Sequence, residues 1–190
     1  MLNETVSYFL YLYSLLNQAI VPCSLPELLP VNTVNRQQYL GKWYFVAAVS
    51  HREADIQNFK ALDNLWFTME ETANDTLLLT GHVRMGDNCL NQTWTYHLHP
   101  EQDDLELEGR PQRKNLLRSG KWANCADCII FQEVEPPLKK TDAEDSLSRF
   151  MLYARQSDVE SKVVKTFLGN SACNNMSASV RPPQVKESCT

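Results

Sequence analysis

The sequence predicts an all-β domain of eight antiparallel strands, closed as a barrel or packed as a sandwich, with one helix near the C-terminus. Between residues 40 and 155, most segments alternate apolar and polar side chains with a period of two, which is typical of strands with one buried face. Turn-forming Gly, Pro, Asn and Asp residues separate these segments at short intervals, as in antiparallel sheets. The stretch after residue 155 has helical spacing instead.

The predicted strands are the alternating or β-branched segments of this region. They lie at residues 43–49, 65–71, 77–85, 93–99, 104–109, 116–122, 128–134 and 149–155. The alternation is clear in the fourth strand, where Trp94, Tyr96 and Leu98 share one face, and weak in the sixth. Turn signals lie at residues 73–75, 86–88, 135–137 and 139–145.

A helix is predicted directly after the last strand. Residues 157–160, Ser-Asp-Val-Glu, form a capping-box pattern, and Gly169 is a typical stop. Between them lies an apolar stripe of Val163, Val164, Phe167 and Leu168. The polar chain after Gly169 is predicted to be a tail held by Cys173 and Cys189.

Size and charge exclude some classes of protein. The chain has 190 residues, which suits one domain with a full hydrophobic core. Its 18 Lys and Arg residues against 23 Asp and Glu residues give a formal net charge of −5. Nonspecific nucleic-acid binding requires a basic surface, so we expect no nucleic-acid partner.

Cysteines and glycosylation sequons indicate an extracellular protein. Six cysteines, an even number, are compatible with three disulfides, which persist in oxidising compartments. N-x-S/T sequons, which also arise by chance, suggest a glycoprotein. They begin at Asn3, Asn74, Asn91 and Asn175.

Residues 1–22 form a segment similar to a secretory signal. The apolar run at residues 8–16 fits a signal-peptide core and is too short for a transmembrane span, which needs about 20 residues. No Lys or Arg precedes Arg36, and no A-x-A-like cleavage site follows the run. We therefore expect residues 1–22 to be retained as a lipid anchor on a domain formed by residues 23–190. Cleavage at a poor site is the alternative.

Three features together carry a resemblance to the lipocalins. Gly41 and Trp43 open the first strand as the G-x-W motif of that family does. Arg155 follows the last strand, where lipocalins place an arginine that packs over the tryptophan, and a helix comes next. The resemblance implies an eight-stranded antiparallel up-and-down lipocalin barrel, with the C-terminal helix packed outside. Such a barrel has room for one small ligand, and it gives Gly41, Trp43 and Arg155 structural roles.

Within the lipocalins, the chain is similar to the lipoprotein-associated branch from its N-terminal segment to its last cysteine. The similar stretches are GKWYFVAA (41–48), DNLWFTM (63–69), VRMGDNC (83–89), WTYHL (94–98), LELEGRP (105–111) and RFMLYAR (149–155). The resemblance implies a secreted, monomeric carrier of a lysophospholipid, sphingosine 1-phosphate. It also implies association with the phospholipid surface of high-density lipoprotein (HDL), and no cofactor or catalytic residue.

A lysophospholipid needs an apolar lining for its tail and fixed charges for its head group. The alternating strand faces offer a lining, although the same residues would also fill an empty barrel. They are Phe67, Met69, Leu79, Val83, Tyr96 and Leu98. The resemblance implies a head-group site of Trp94, Arg110, Glu133, Arg149 and Tyr153. In it the arginines suit the phosphate and the glutamate suits the amine.

Two positions depart from this implied site. Gln92 stands where the family has an arginine two residues before the strand tryptophan, so a hydrogen bond between charged groups, about 1.5–3 kcal/mol, is missing. Strict alternation from Leu105 places Arg110 outside the barrel, unless Gly109 or Pro111 introduces a bulge.

The resemblance also implies a disulfide framework. It pairs Cys23 with Cys173 and Cys89 with Cys189, and by the same analogy Cys125 with Cys128. The family's third bridge ends near Val163, where this chain has no cysteine. The C-x-x-C spacing of the last pair could instead serve redox chemistry or half of a zinc site.

Other functions remain open at this point. One lipocalin class isomerises prostaglandins with a free cysteine, which an even cysteine count disfavours. A lipocalin that carries a retinoid or a fatty acid would not need the charged residues of the head-group site. A structural apolipoprotein would use residues 1–22 and leave its cavity idle. His97 and His99 share a strand face, but solvent-facing histidines are much commoner than metal ligands, so no metal site is predicted.

Overall fold

Eight antiparallel strands close into a barrel in which each strand pairs with its neighbours in the chain. The computed structural model describes residues 2–19, 23–31, 36–73, 75–137, 146–183 and 189. The strands are β1 (Gly41–Ser50), β2 (Asn64–Ala73), β3 (Thr76–Met85), β4 (Asn88–Leu98), β5 (Leu105–Leu107), β6 (Lys114–Ser119), β7 (Cys128–Glu135) and β8 (Leu147–Ala154). Pairing of β1 with both β2 and β8 closes the sheet and confirms the predicted up-and-down barrel. The predicted turn at 139–145 and the sequon at Asn74 lie outside the described residues.

The strand bounds differ from the prediction where the chain turns. β4 begins earlier than predicted, at Asn88, and β5 ends earlier, at Leu107. The sixth strand ends at Ser119 because the chain then enters a 3-10 turn, Gly120–Ala123. A Cβ on Gly120 would lie 2.3 Å from the carbonyl oxygen of Cys128, so this turn requires glycine.

A ninth strand, β9 (Ala178–Val180), was not predicted. β2 pairs with residues 41–44 of β1, and β9 pairs with residues 48–50 of the same strand. β9 therefore supplies hydrogen-bond partners along the part of β1 that β2 does not follow. The chain beyond Gly169 is thus built into the sheet and is more than a tail.

The C-terminal helix, α2 (Ser161–Cys173), lies outside the barrel as expected, but its ends differ from the prediction. Its N-cap is Glu160, which makes no side-chain capping bond, so the predicted capping box is wrong. The helix also continues through Gly169 to Cys173. Its apolar face is buried against the barrel, and such packing outweighs the helix penalty of one glycine, about 1 kcal/mol.

Two hydrophobic cores lie on opposite sides of the barrel wall. One fills the barrel interior around Phe45, Phe67 and Leu105. The other lies between the wall and α2, where the Trp122 ring stands edge-on to Phe150 and Phe167 with centroids 6.1 Å apart in both pairs. The predicted stripe of α2 belongs to this second core, with Val163, Val164 and Phe167 buried.

The three residues expected to be structural meet at one end of the barrel. The guanidinium carbon of Arg155 lies 3.7 Å from the centroid of the Trp43 ring. Its nitrogens donate to the carbonyls of Lys42 and Gln38 at 3.0 and 2.6 Å. Gly41 has a φ of +90°, and a Cβ there would lie 3.5 Å from the arginine. This cluster covers the end of the barrel at which β1 begins.

Three disulfides join Cys23 to Cys173, Cys89 to Cys189 and Cys125 to Cys128. These are the pairs that the lipocalin resemblance implies. The first ties the chain before the barrel to the end of α2, and the second ties β4 to the far C-terminal chain. No cysteine is left as a free thiol.

Most of the N-terminal segment forms a helix, α1 (Leu2–Ala19). Six large apolar side chains of its described part are exposed to solvent, namely Val6, Tyr8, Phe9, Leu10, Tyr11 and Tyr13, each 51–70% exposed. Among the helices that the structure describes, none combines the length and the apolar character needed to cross a membrane.

Candidate functional site in the barrel

The barrel contains a cavity of about 570 Å³, within the usual range for a small-molecule site. Its inner wall is apolar and aromatic, with Phe67, Leu79, Phe131 and Met151. The cavity opens at the end opposite Trp43 and Arg155. There the 3-10 turn Gln57–Ala61 contributes Asn58 and Phe59 to the lining.

Of the six residues predicted to contact a lipid tail, some line the cavity and others are buried in the barrel core. Four of them line the cavity, namely Phe67, Leu79, Val83 and Tyr96. Met69 and Leu98 are buried in the barrel core and do not reach the cavity surface. They lie further toward the closed end, where core side chains fill the barrel.

The Trp94 ring lies directly against Gly81 on the neighbouring strand. A Cβ at Gly81 of β3 would lie 2.6 Å from the Trp94 ring, so the absent side chain leaves room for the indole. The ring lines the cavity near its opening. Gln92, two residues earlier on the same strand, lines the opening as well.

Glu133 and Arg149 form a buried ion pair across β7 and β8. They are direct partners in the strand register, and Nη2 of Arg149 lies 2.5 Å from Oε2 of Glu133. Nε of Arg149 also donates to that oxygen, and Nη1 donates to the carbonyl of Asp55 at 2.8 Å. The two side chains are only 14% and 8% exposed. Their charges are therefore shielded mainly by each other rather than by water.

Two tyrosines lie beside this pair as neutral groups. Burial raises the pKa of both Tyr96 and Tyr153 above the ordinary value, and the negative charge of Glu133 raises each further. Both hydroxyls therefore remain protonated at physiological pH. The Tyr153 hydroxyl lies 3.8 Å from the sulfur of Met151.

Outside the cavity lies a polar space of about 800 Å³, which we call the mouth basin. Its charged residues are four arginines and three carboxylates, namely Arg52, Arg110, Arg113, Arg149, Asp55, Glu108 and Glu135. The basin shares part of its lining with the barrel cavity, including Gln92, Trp94, Arg113 and Arg149. The two spaces therefore form one site, with an apolar interior and an opening that carries both signs of charge.

Glu135 is the central carboxylate of the mouth basin. Nε and Nη2 of Arg113 donate to its Oε2 at 2.9 and 2.7 Å, and Nη1 of Arg110 lies 3.2 Å from the same oxygen. Burial alone raises the pKa of Glu135, but the hydrogen bonds and charges of the two arginines outweigh it and lower the pKa below its ordinary value. Glu135 is thus ionised at neutral pH.

Asp55 is a second ionised carboxylate at the opening. It accepts from the hydroxyl of Ser50 at 2.8 Å, from Nη2 of Arg52 at 2.5 Å and from the backbone N–H of Ser148 at 3.3 Å. Burial raises the pKa of Asp55, whereas these hydrogen bonds and the charge of Arg52 lower it, and the net shift is downward. The aspartate therefore connects the turn after β1 to the start of β8.

Four of the five residues implied for the head-group site line the cavity together, beside Tyr96: Trp94, Glu133, Arg149 and Tyr153. Arg110 does not join them. β5 ends at Leu107, and Gly109 turns the chain with a φ of +78°. The Arg110 side chain then lies 56% exposed in the mouth basin.

Arg113 lines both spaces and was missed by sequence reasoning. It precedes β6 and lies between the predicted fifth and sixth strands, where no role was predicted for it. The inward face of β6 contains Leu117 and Asn115, both fully buried. Continuing that period of two by one step reaches Arg113, so the signal was present in the sequence.

Comparison with known proteins agrees with this architecture. Residues 1–190 match the protein family described as the ApoM domain. Apolipoprotein M of the mouse (Mus musculus) is 28% identical over 197 residues, which cover 100% of this chain and 97% of the mouse protein.

Two solved structures are similar to the chain in fold. The siderocalin Ex-FABP, which functions through dual ligand specificities, superposes with a TM-score of 0.62 at 13% identity, over 80% of this chain and 97% of its own. A second siderocalin, with a dual ligand binding mode, has a TM-score of 0.62 at 18% identity, over 82% of this chain and 94% of its own. At such low identity the likeness establishes the lipocalin fold alone.

Proposed function

The chain belongs to the ApoM domain family, and on that premise we propose that its barrel binds one lysophospholipid, sphingosine 1-phosphate. It is a lipocalin-type lipid carrier, and its fold and family are those of a binding or transport protein rather than an enzyme. One observation carries the choice of cargo. The apolar barrel cavity opens directly into a basin that contains both arginines and carboxylates.

This arrangement suits the chemistry of the proposed cargo. Sphingosine 1-phosphate has one apolar chain, which the aromatic and aliphatic interior would shield from water. Its head group carries a phosphate, for which arginine is the preferred planar donor, and an ammonium, which suits a carboxylate. A fatty acid or a retinoid would use the interior but would have no need of both charges at the opening.

Lipid titrations monitored by tryptophan fluorescence test this cargo. The wild-type protein is titrated with sphingosine 1-phosphate, with sphingosine, which lacks the phosphate, and with a fatty acid. We expect sphingosine 1-phosphate to bind at least about tenfold more tightly than the other two, since each hydrogen bond to a charged group contributes about 1.5–3 kcal/mol.

Trp94→Phe is the matched control for the signal, because the other three tryptophans lie away from the cavity lining. The variant should lose most of the quench, and its affinity for sphingosine 1-phosphate is measured separately by isothermal titration calorimetry, because Trp94 itself lines the site. Equal affinity of the wild type for all three lipids would instead indicate a carrier of hydrophobic molecules in general. Catalysis of the prostaglandin-isomerase type finds no support, since it uses a free thiol and all six cysteines are in disulfides.

We also propose that residues 1–22 are retained and that α1 rests on the phospholipid surface of HDL. The exposed apolar side chains of α1 have no partner surface in the described part of the chain that would cover them. Phe9 and Tyr13 are 70% and 65% exposed and lie one helical turn apart. Insertion of such a face into a lipid interface stabilises an amphipathic helix. Three disulfides accord with the secretion that this role requires.

Flotation with phosphatidylcholine vesicles tests the lipid contact of α1. Replacing Phe9 and Tyr13 by glutamate places two charges on the apolar face, so vesicle binding should fall at least about tenfold. The control replaces Ser7 and Ser14 by glutamate, which adds the same charge at exposed positions of α1 that are already polar. Equal binding by the two variants would contradict the proposal, and mass spectrometry of the secreted protein shows whether residues 1–22 remain.

A further inference from the structure

The arginines at the opening differ in how many of their donors are already in use. Arg149 commits Nε and Nη2 to Glu133 and Nη1 to the carbonyl of Asp55. Arg52 is bound to Asp55 and to the carbonyl of Ser146. Each of the three nitrogens of Arg149 therefore already has a protein acceptor, and Arg52 is held by the ionised Asp55.

Arg113 is held differently. Its Nε and Nη2 both donate to one oxygen of Glu135, and Nη1 has no partner among the residues that the structure describes. The side chain is 16% exposed, so water competes little for its free donor. The amide of Asn115 donates to the carbonyls of Arg113 and Leu105, which fixes the backbone from which the side chain extends.

Arg113 also brings a positive charge to a site in which Gln92 stands where the family has an arginine. Arg113 and Gln92 both line the barrel cavity and the mouth basin. Gln92 can donate a hydrogen bond to an anion, but it brings no charge. Glu135 is shared between Arg110 and Arg113, so this group of three side chains keeps one positive charge in excess.

We propose that Arg113 determines phosphate specificity: its guanidinium binds the phosphate monoester of the lipid head group, next to the uncharged Gln92. This inference rests on the proposed lipid-carrier function and assigns a residue within that site. Arg110 neighbours the same glutamate, but it lines the mouth basin and not the barrel cavity. Its side chain is 56% exposed, so water screens its charge.

Arg113→Gln and Arg110→Gln form a matched pair for the test. Each variant removes one positive charge beside Glu135. Dissociation constants are measured for sphingosine 1-phosphate and for sphingosine. The phosphate preference is the constant for sphingosine divided by the constant for sphingosine 1-phosphate. Arg113→Gln should reduce this ratio at least about tenfold, and Arg110→Gln by about threefold or less. Partial unfolding of a variant lowers the apparent affinity for both lipids by the same factor, so its effect cancels in the ratio.

The outcomes separate this inference from the proposed function. A wild-type protein without phosphate preference would overturn both. A wild-type preference that survives in Arg113→Gln, or that falls equally in the two variants, would overturn the role of Arg113 and leave the carrier function intact. Arg113→Lys keeps the charge but loses the planar fork. An intermediate ratio for Arg113→Lys supports the assignment, and a ratio as low as that of Arg113→Gln would show that the fork matters more than the charge.

Discussion

Replacing Arg149 by methionine is expected to lower the free energy of unfolding by about 3–5 kcal/mol. The substitution leaves Glu133, 8% exposed in its side chain, as a charge buried without a counterion. It also removes the donor to the carbonyl of Asp55. Urea denaturation with the disulfides intact, followed by near-ultraviolet circular dichroism, measures the change.

Two further variants show whether the loss comes from the uncompensated charge. The double variant Arg149→Met with Glu133→Leu removes both charges, so most of the stability should return. Arg110→Met breaks an exposed pair with Glu135 and should cost less than about 1 kcal/mol. Equal losses for Arg149→Met and Arg110→Met would contradict the burial of the inner pair. The double variant also separates the role of these charges in folding from any role in lipid binding.

The second large effect concerns the disulfide between Cys89 and Cys189. Replacing both cysteines by alanine should cost about 2–5 kcal/mol, since the bridge closes a long loop and limits the unfolded chain. The two residues are 100 positions apart in the sequence. The bridge also holds the carbonyl of Cys189 where it accepts from the indole of Trp66 at 2.8 Å. Thermal unfolding of the variant and of the wild type gives the difference.

Replacing Cys125 and Cys128 by alanine is the matched control. This pair is separated by only three positions. Each disulfide has one buried cysteine, Cys128 at 4% and Cys189 at 3% exposure, so the loss of packing is similar in the two variants. In the loop-closure account the short bridge should stabilise the protein by about 2–3 kcal/mol less than the long one. Equal destabilisation would show that loop entropy does not set the effect.

Local patterns in the sequence predicted the eight strands and much of the cavity lining, because alternation within a strand depends on that strand alone, whereas closure into a barrel was implied by the lipocalin resemblance. Trp94 and Tyr96 were placed on the inner face of β4 in this way, and both line the cavity. The pairing of Glu133 with Arg149 depends on the register between β7 and β8, which no pattern within either strand reveals.

The features that were missed arise from contacts between distant segments. β9 pairs with the part of β1 that β2 does not follow, on the side of β1 opposite β8. α2 passes through Gly169 because packing on the barrel holds it. Arg113 lies before the predicted start of the sixth strand at residue 116, so the alternating face was not followed back to it. In each case the deciding interaction comes from outside the local stretch of sequence.

The pairing of β1 with β8 has a consequence for the order in which the protein can form during synthesis. A ribosome releases the chain from its N-terminus, so β1 emerges long before the strand that closes the barrel against it. Cys23 and Cys89 likewise cannot form their disulfides until Cys173 and Cys189 have been made, and β1 cannot pair with β9 until residues 178–180 have been made. Until then, the apolar faces of the early strands and the open edge of β1 remain available to other molecules. The barrel can therefore close, and two of its three disulfides can form, only after the C-terminal part of the chain has been made.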